Sequence, residues 1–337
     1  MFTPRSVGLL RAVEHPSLHM STHWTAAQIP DQTGRRVFIT GANSGIGFPA
    51  AQKLARKGAT VVLACRDRAR GEAAMRRIEA EAPGARLELA LLDLASLKSV
   101  REVAAQELEK GLPLDLLINN AGVMAPPKRL ETQDGFELQF GTNVLGHFAL
   151  TGLLMPALER SAALAASQEK RPRVVTVASI AHKRGKIDFE DLQAKRKYNP
   201  MTSYQQSKLG DLMFSRELER RLEAQSSGVI SIAAHPGVAE TSLFKVGSGK
   251  GVAGIAERVI ATTIGALLNS DAEGALPTLY AATAAEAVGG EYYGPQGFQE
   301  MRGGDVGDAI VAPQAKDAAG AARLWGICED LTGVRYL

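Results

Sequence analysis

Hydrophobic positions along the chain follow two alternating rhythms. Short runs that are apolar at nearly every position alternate with longer stretches where apolar residues return every three or four positions. Arg36-Val37-Phe38-Ile39 is the first short run, and Phe48 to Arg56 follows it with helical spacing. Ala59 to Cys65 is a second run, and the charged, alanine-rich stretch 67–82 predicts a helix stopped by Pro83-Gly84. Arg86 to Leu92 is a third. Over 96–110, Leu97, Val100, Val103, Ala104 and Leu108 make one helical face. Leu114 to Asn119, Arg173 to Ala178 and Val229 to Ala233 are three more runs, separated by a long helix within 133–165 and another over 202–224. Runs this short, rich in β-branched residues, predict buried strands. Strand alternating with helix predicts an α/β fold, a doubly wound parallel sheet with helices on both faces.

Ligands of such sheets bind beyond the carboxyl ends of the strands, so the residues just after each run matter most. The first run leads into Thr40-Gly41-Ala42-Asn43-Ser44-Gly45-Ile46-Gly47. Glycines at a strand-to-helix turn let the backbone approach a diphosphate, and the helix N-terminus offers free N–H groups. The spacing G-x-x-x-G-x-G departs from G-x-G-x-x-G, and plain turns also collect glycine. The later run ends carry Cys65-Arg66-Asp67, then Asp93-Leu94, then Asn119-Asn120-Ala121-Gly122, then Ser179, then His235-Pro236-Gly237. Within 202–224, Tyr204 and Lys208 lie four apart and share one helical face. By itself such a pair is equally a solvated surface pair. What singles it out is the ordered set along one sheet edge.

The set resembles the short-chain dehydrogenase/reductase family over about residues 30–300. The resemblance is carried by Thr40 to Gly47, Asp93, Asn119 to Gly122, Asn143, Ser179, Tyr204, Lys208 and Pro236-Gly237. Ala64-Cys65-Arg66-Asp67, Ile180-Ala181-His182 in the long gap between Ser179 and Tyr204, and Leu331 to Arg335 resemble its retinol dehydrogenase and protochlorophyllide reductase-like branch. The resemblance implies one Rossmann-type domain with about seven strands and a small helical substrate lobe at about 238–275. It implies that Gly41, Asn43, Ser44, Gly45, Ile46 and Gly47 cradle the cofactor diphosphate. Asp93, beside Leu94, would bind the adenine amino group. Asn120, with Ala121 and Gly122, would line the floor under the adenosine ribose. Pro236 and Gly237 would also bind the cofactor, and Thr241 would lie near the nicotinamide amide or the diphosphate. Lys208 would contact the nicotinamide ribose, and Asn143 would join a proton relay from Lys208 to solvent.

The residue types support this chemistry. Hydride transfer to a carbonyl carbon leaves negative charge on oxygen, and a proton must arrive there. Tyr204 is the expected donor. A free phenol has a pKa of about 10, and Lys208 together with an oxidised nicotinamide would favour the phenolate. Ser179 would donate a hydrogen bond to the same oxygen. Cofactor choice turns on Cys65, which stands where an acidic residue would clamp the ribose 2′-hydroxyl of NAD. Arg66 suits a 2′-phosphate, Arg70 can add to it, and Asp67 works against it if turned inward. The expectation is therefore an enzyme that uses NADP(H) to interconvert a carbonyl and an alcohol. Apolar residues such as Leu243, Phe244, Ile255 and Leu268 fit a small apolar substrate, and fit at least as well a helix packing on the core. The alternative is a redox-inactive NADP-binding regulatory protein, against which the intact Ser179, Tyr204 and Lys208 argue.

Composition narrows the remaining classes. The 337 residues are 45% apolar and 22% charged, a globular composition. A net charge of +3 is too small to argue for nucleic acid, and two cysteines, Cys65 and Cys328, give no disulfide framework or metal spacing. The cysteine usage makes a reducing cytoplasm the expected setting; no apolar run reaches the roughly 20 residues of a membrane span, and no signal peptide is evident. Sparse basic residues, mainly Lys250 and Arg258, disfavour an interfacial helix over 252–268. Residues 1–30 read as an N-terminal extension outside the core, partly disordered, before a single domain at 31–337. Monomer, dimer and tetramer all remain open.

Overall fold

The structure is a computed structural model that describes residues 23–167, 170–238 and 269–337. The first half of the fold runs β1 (Arg36–Thr40), α1 (Gly47–Arg56), β2 (Thr60–Cys65), α2 (Arg68–Glu81), β3 (Arg86–Leu91), α3 (Leu97–Glu109) and β4 (Leu116–Asn119). A π-helical turn, Phe140–Leu145, leads into α4 (Gly146–Leu164), followed by β5 (Arg173–Val177), α5 (Pro200–Ala224) and β6 (Ile230–Ala234). After residue 268 come α6 (Asp271–Gly274), α7 (Leu276–Thr283), β7 (Tyr292–Pro295), β8 (Val306–Asp308) and α8 (Ala318–Thr332).

All five residues of β1 are buried, and their side chains divide between two cores. Phe38 joins Val62, Leu117 and Val174 on one face, under α3, α4, α5 and α8. Val37 and Ile39 join Val61, Leu63, Leu116 and Ile118 on the other, under α1, α2 and α7. A strand covered on both faces needs apolar residues at every position, which is why these segments read as unbroken runs. The strand order is β3-β2-β1-β4-β5-β6-β7-β8, parallel through β7, with β8 antiparallel. The order reverses between β1 and β4, which opens a crevice at their carboxyl ends.

Each helix predicted between 48 and 224 forms, with ends set by local chemistry. Asp67 caps α2, Ser96 caps α3, and Asn199 caps α5 with Pro200 in the first turn. Helix α5 therefore starts two residues before the expected 202. The sheet has eight strands where about seven were expected. The extra one, β8, is three residues long. The boundary at residue 31 also needs correction. Trp24 and Ile29 are buried in the second core, and the Trp24 ring meets Tyr280 edge-on at 5.5 Å. Residues 1–22 and most of the expected substrate lobe, with Thr241, lie outside the described residues.

Candidate active site

A cleft of about 700 Å³ lies at the carboxyl ends of the strands. Gly41, Asn43, Ser44, Gly45 and Ile46 line it, as do Arg66, Asp93, Leu94, Asn120, Ala121, Gly122, Ser179, Tyr204, Lys208, Pro236 and Gly237. Gly47 and Asn143 stand behind the wall.

The glycine turn is dictated by space and backbone angle. Gly41 and Gly45 have φ of +68° and +55°, where side chains are disfavoured. At Gly47 a Cβ would collide with the Asn120 amide and sit 2.6 Å from the Gly41 carbonyl oxygen. Helix α1 therefore begins pressed against the turn. Its N-cap, Ile46, offers no side-chain hydrogen bond to the helix. Phe48 and Ala50 donate to the Gly45 and Ile46 carbonyls at 3.3 Å and Pro49 has no N–H, so what α1 offers an anion is its positive end behind the tight glycine turn, which fits a diphosphate.

Thr40 ties this turn to the loop after β4. Its Oγ1 accepts the N–H groups of Asn120 and Ala121, each at 2.9 Å, while the Asn120 amide donates to the Thr40 carbonyl at 2.7 Å. His147 continues the chain of bonds. Its Nδ1 donates to the Asn143 carbonyl at 2.8 Å, which leaves Nε2 to accept the Thr40 hydroxyl at 2.9 Å. Burial pushes the His147 pKa down to about 4, so the ring is neutral. Asn143 sits in the π-helical turn. Its Oδ1 accepts the Val123 N–H at 2.8 Å, and its amide donates to the Val123 carbonyl and to Ser207 Oγ. These bonds pin the loop after β4 to α5. Lys208 is not among the side-chain partners of Asn143.

Ser179 follows β5 and caps a short 3-10 turn, its Oγ accepting the Ala181 N–H at 3.2 Å. Helix α5 brings Tyr204 and Lys208 to the facing wall. Tyr204 is half-buried, whereas Lys208 is buried. Lys208 Nζ donates to the carbonyl of Val177, the last residue of β5, at 2.9 Å and to Asp211 Oδ2 at 2.8 Å. Burial alone would lower the Lys208 pKa, but the charges of Asp211 and Tyr204 more than offset it and the pKa rises. Burial drives Asp211 up to about 6 against the pull of Lys208. Between these limits the pair is charged.

The end of β2 presents Arg66 and Arg70, both exposed on the cleft wall. Asp67 does not turn inward. Its Oδ1 accepts the Arg70 N–H at 3.0 Å as the cap of α2. Cys65 is buried, its thiol 3.4 Å from the Asp67 carbonyl, and burial raises its pKa. Three residues of this site were not singled out from the sequence. Thr40 passed as part of the glycine turn. His147 and Asp211 each lie one helical turn beyond a residue that was singled out, Asn143 and Lys208.

A doubly wound sheet with a glycine turn at its switch point and a cleft beside it defines a dinucleotide-binding α/β protein. Residues 35–248 match the sequence model of the short chain dehydrogenase family. Human retinol dehydrogenase 13 is 43% identical over 308 residues, spanning 89% of this chain and 85% of its own length. Mouse polyprenol dehydrogenase is 42% identical over 308 residues, spanning 90% and 86%. Among solved structures, an uncharacterised protein from Mycobacterium paratuberculosis shares 40% identity with a TM-score of 0.73, over 94% of this chain and 100% of its own. The chain belongs to the short-chain dehydrogenase/reductase family, in its retinol dehydrogenase-like branch, and is an oxidoreductase. The family binds a nicotinamide dinucleotide. Among the described residues no helix is long and apolar enough to cross a membrane.

Proposed function

We propose that this enzyme interconverts a carbonyl and an alcohol on an apolar small molecule, with NADP(H) as cofactor and Tyr204 as the acid/base. The observation that carries the reading is the meeting of Ser179, Tyr204 and Lys208 in the same cleft as the glycine turn. The nicotinamide supplies the hydride in reduction and takes it up in oxidation. Gly41 to Gly47 and the α1 N-terminus would hold the diphosphate, with Asp93, Leu94 and Asn120 to Gly122 toward the adenosine half and Pro236-Gly237 toward the nicotinamide. Arg66 and Arg70 would hold the 2′-phosphate.

Tyr204 gives its proton to the carbonyl oxygen in reduction and removes one from the alcohol in oxidation. Ser179 already accepts one hydrogen bond through Oγ, which leaves its own O–H to donate to the substrate oxygen as charge develops. Lys208 has three N–H bonds, two of them taken by Val177 and Asp211, and the third serves the cleft. Asn143 acts by holding the loop after β4 in place. Val123, Met124, Ile180, Met201 and Val238 give the cleft an apolar side. Two relatives are named for retinol and polyprenol, alcohols with long apolar bodies, which supports an apolar substrate. The test is a panel of apolar aldehydes, ketones and quinones with NADPH. Carbonyl-dependent NADPH oxidation is expected. Tight NADPH binding with no turnover on any member would favour a regulatory role instead.

A further inference from the structure

Lys208 is not buried alone. Helix α5 places Asp211 three residues on, with the side chains of the pair only 5% and 3% exposed and Nζ and Oδ2 2.8 Å apart. The second carboxylate oxygen, Oδ1, is buried and has no hydrogen-bond partner among the described residues. An ionised carboxylate with an orphaned oxygen is costly in a protein interior, and an apolar side chain would fill the space at less cost. Packing therefore does not explain Asp211, but the charge it sets beside Lys208 does.

Among the described residues, the groups around the pair leave that charge uncompensated except by Lys208. Tyr204 shares helix α5. Tyr292 faces Asp211 from β7 and Cys328 faces it from α8, and burial raises both well above their ordinary values, so both are neutral. His147 faces Lys208 and is neutral as well. Glu300 faces Tyr292 and is ion-paired to Lys183 at 2.7 Å.

We propose that Asp211 is a positioning residue that acts through Lys208, its carboxylate offsetting the ammonium charge at Tyr204 and so holding Tyr204 as the phenol, the form that donates a proton in carbonyl reduction. The inference rests on the reading of Tyr204 and Lys208 given above. Removing a fixed negative charge makes proton loss from its neighbours easier, so the effect has a definite sign.

The test is an ultraviolet pH titration of tyrosinate in the protein saturated with NADP+, with the Tyr204→Phe protein as blank. In Asp211→Asn the midpoint for Tyr204 should fall by about one pH unit, a tenfold change in the ionisation constant. Asp211→Glu keeps the charge and should keep the midpoint. If Asp211→Asn does not fold, Asp211→Ser, smaller and also neutral, repeats the test. A purely structural role would lower the melting temperature of these variants without moving the midpoint. A midpoint that stays or rises in the neutral variant overturns the proposal. If it stays while Tyr204→Phe is inactive, only this inference fails. If Tyr204→Phe remains active, the reading of the site fails first.

Discussion

Asp67 Oδ1 accepts the backbone N–H of Arg70 at 3.0 Å, and this one bond bears on cofactor choice. A carboxylate engaged as a helix cap would have to give up about 1 kcal/mol to turn toward a ribose. Arg66 and Arg70 remain exposed on the same wall. NADPH is expected to bind at least tenfold tighter than NADH, about 1.4 kcal/mol. Arg66→Ala should weaken NADPH far more than NADH, and Arg70→Ala should do so less. Added salt should narrow the gap, because the contact is exposed. Fluorescence titrations of both cofactors at low and high salt measure this. Equal affinities at low salt would contradict the arginine reading, and a preference for NADH would mean that Asp67 leaves its cap.

The bond between Thr40 and His147 makes a separate prediction. His147→Leu removes the partner of the Thr40 hydroxyl and of the Asn143 carbonyl, both buried. Losing two buried hydrogen bonds should cost about 2–4 kcal/mol in stability. Because Thr40 holds the loop of Asn120 and Ala121, NADPH affinity should fall as well. A melting curve and a cofactor titration read the two effects. Unchanged affinity in a destabilised variant would mean that the bond supports the core alone.

Acid should destabilise the protein in two steps. Burial lowers the pKa values of His147, His182 and His235, so the unfolded chain takes up protons that the folded one refuses. Stability is then lost as pH falls from about 6.5 toward 4. Glu300 adds a second step. Burial would raise its pKa, but His235, Lys183 and the Ile310 N–H more than offset this and hold it at about 2. Its contribution is present above about 4.5, the unfolded value, and is lost as pH falls toward 2. Glu300→Gln should therefore melt lower than the parent at neutral pH and show a smaller second step, to which Glu88, held at about 2 chiefly by Arg36, also contributes. Asp211 and Glu219, which burial raises to about 6 and about 7, work in the opposite direction over the same range. The histidine step is therefore read in the Glu219→Gln protein, where a melting temperature that rises from pH 7 to pH 5 would contradict the buried histidines.

The burial of Trp24 and Ile29 sets where the core begins. A chain beginning at Met20 keeps both residues and is expected to match the full chain in melting temperature and cofactor affinity. A chain beginning at Asp31 loses both and should melt clearly lower, since removing a buried aromatic side chain costs about 3–5 kcal/mol. Equal melting of all three would show that Trp24 contributes nothing to the core.

What could be read from the sequence follows from how many residues each feature needs. Buried strands announce themselves as runs, and a tight turn announces itself by glycines that no other residue can replace, as at Gly47 against Asn120. Strand β7 pairs only two residues with β6 and ends in Gly294-Pro295, while β8 is three residues long, so neither leaves a run to detect. Trp24 is a single large apolar residue between His23 and Thr25, and its place in the core, with its ring against Tyr280, shows only in the fold. The cleft residues were legible because they follow strands in order. Their partners were not: the hydrogen bond of Thr40 and His147 joins residues 107 apart, and Asp211, three residues after Lys208, reads in the sequence as one more polar residue of a helix. Helical spacing from Asn143 and Lys208 was the one signal that could have found the last two.

The central claim is that Tyr204 carries the proton of a carbonyl–alcohol interconversion. The most direct measurement is turnover of the Tyr204→Phe protein on whichever carbonyl substrate the native enzyme accepts, alongside its affinity for NADPH. The substitution removes one hydroxyl from a half-buried residue and leaves the ring, the glycine turn and the Lys208–Asp211 pair in place. Turnover should fall by at least about a hundredfold, the low end of general acid catalysis, while NADPH affinity stays within about threefold of the parent. A Tyr204→Phe enzyme that keeps substantial activity would contradict the account.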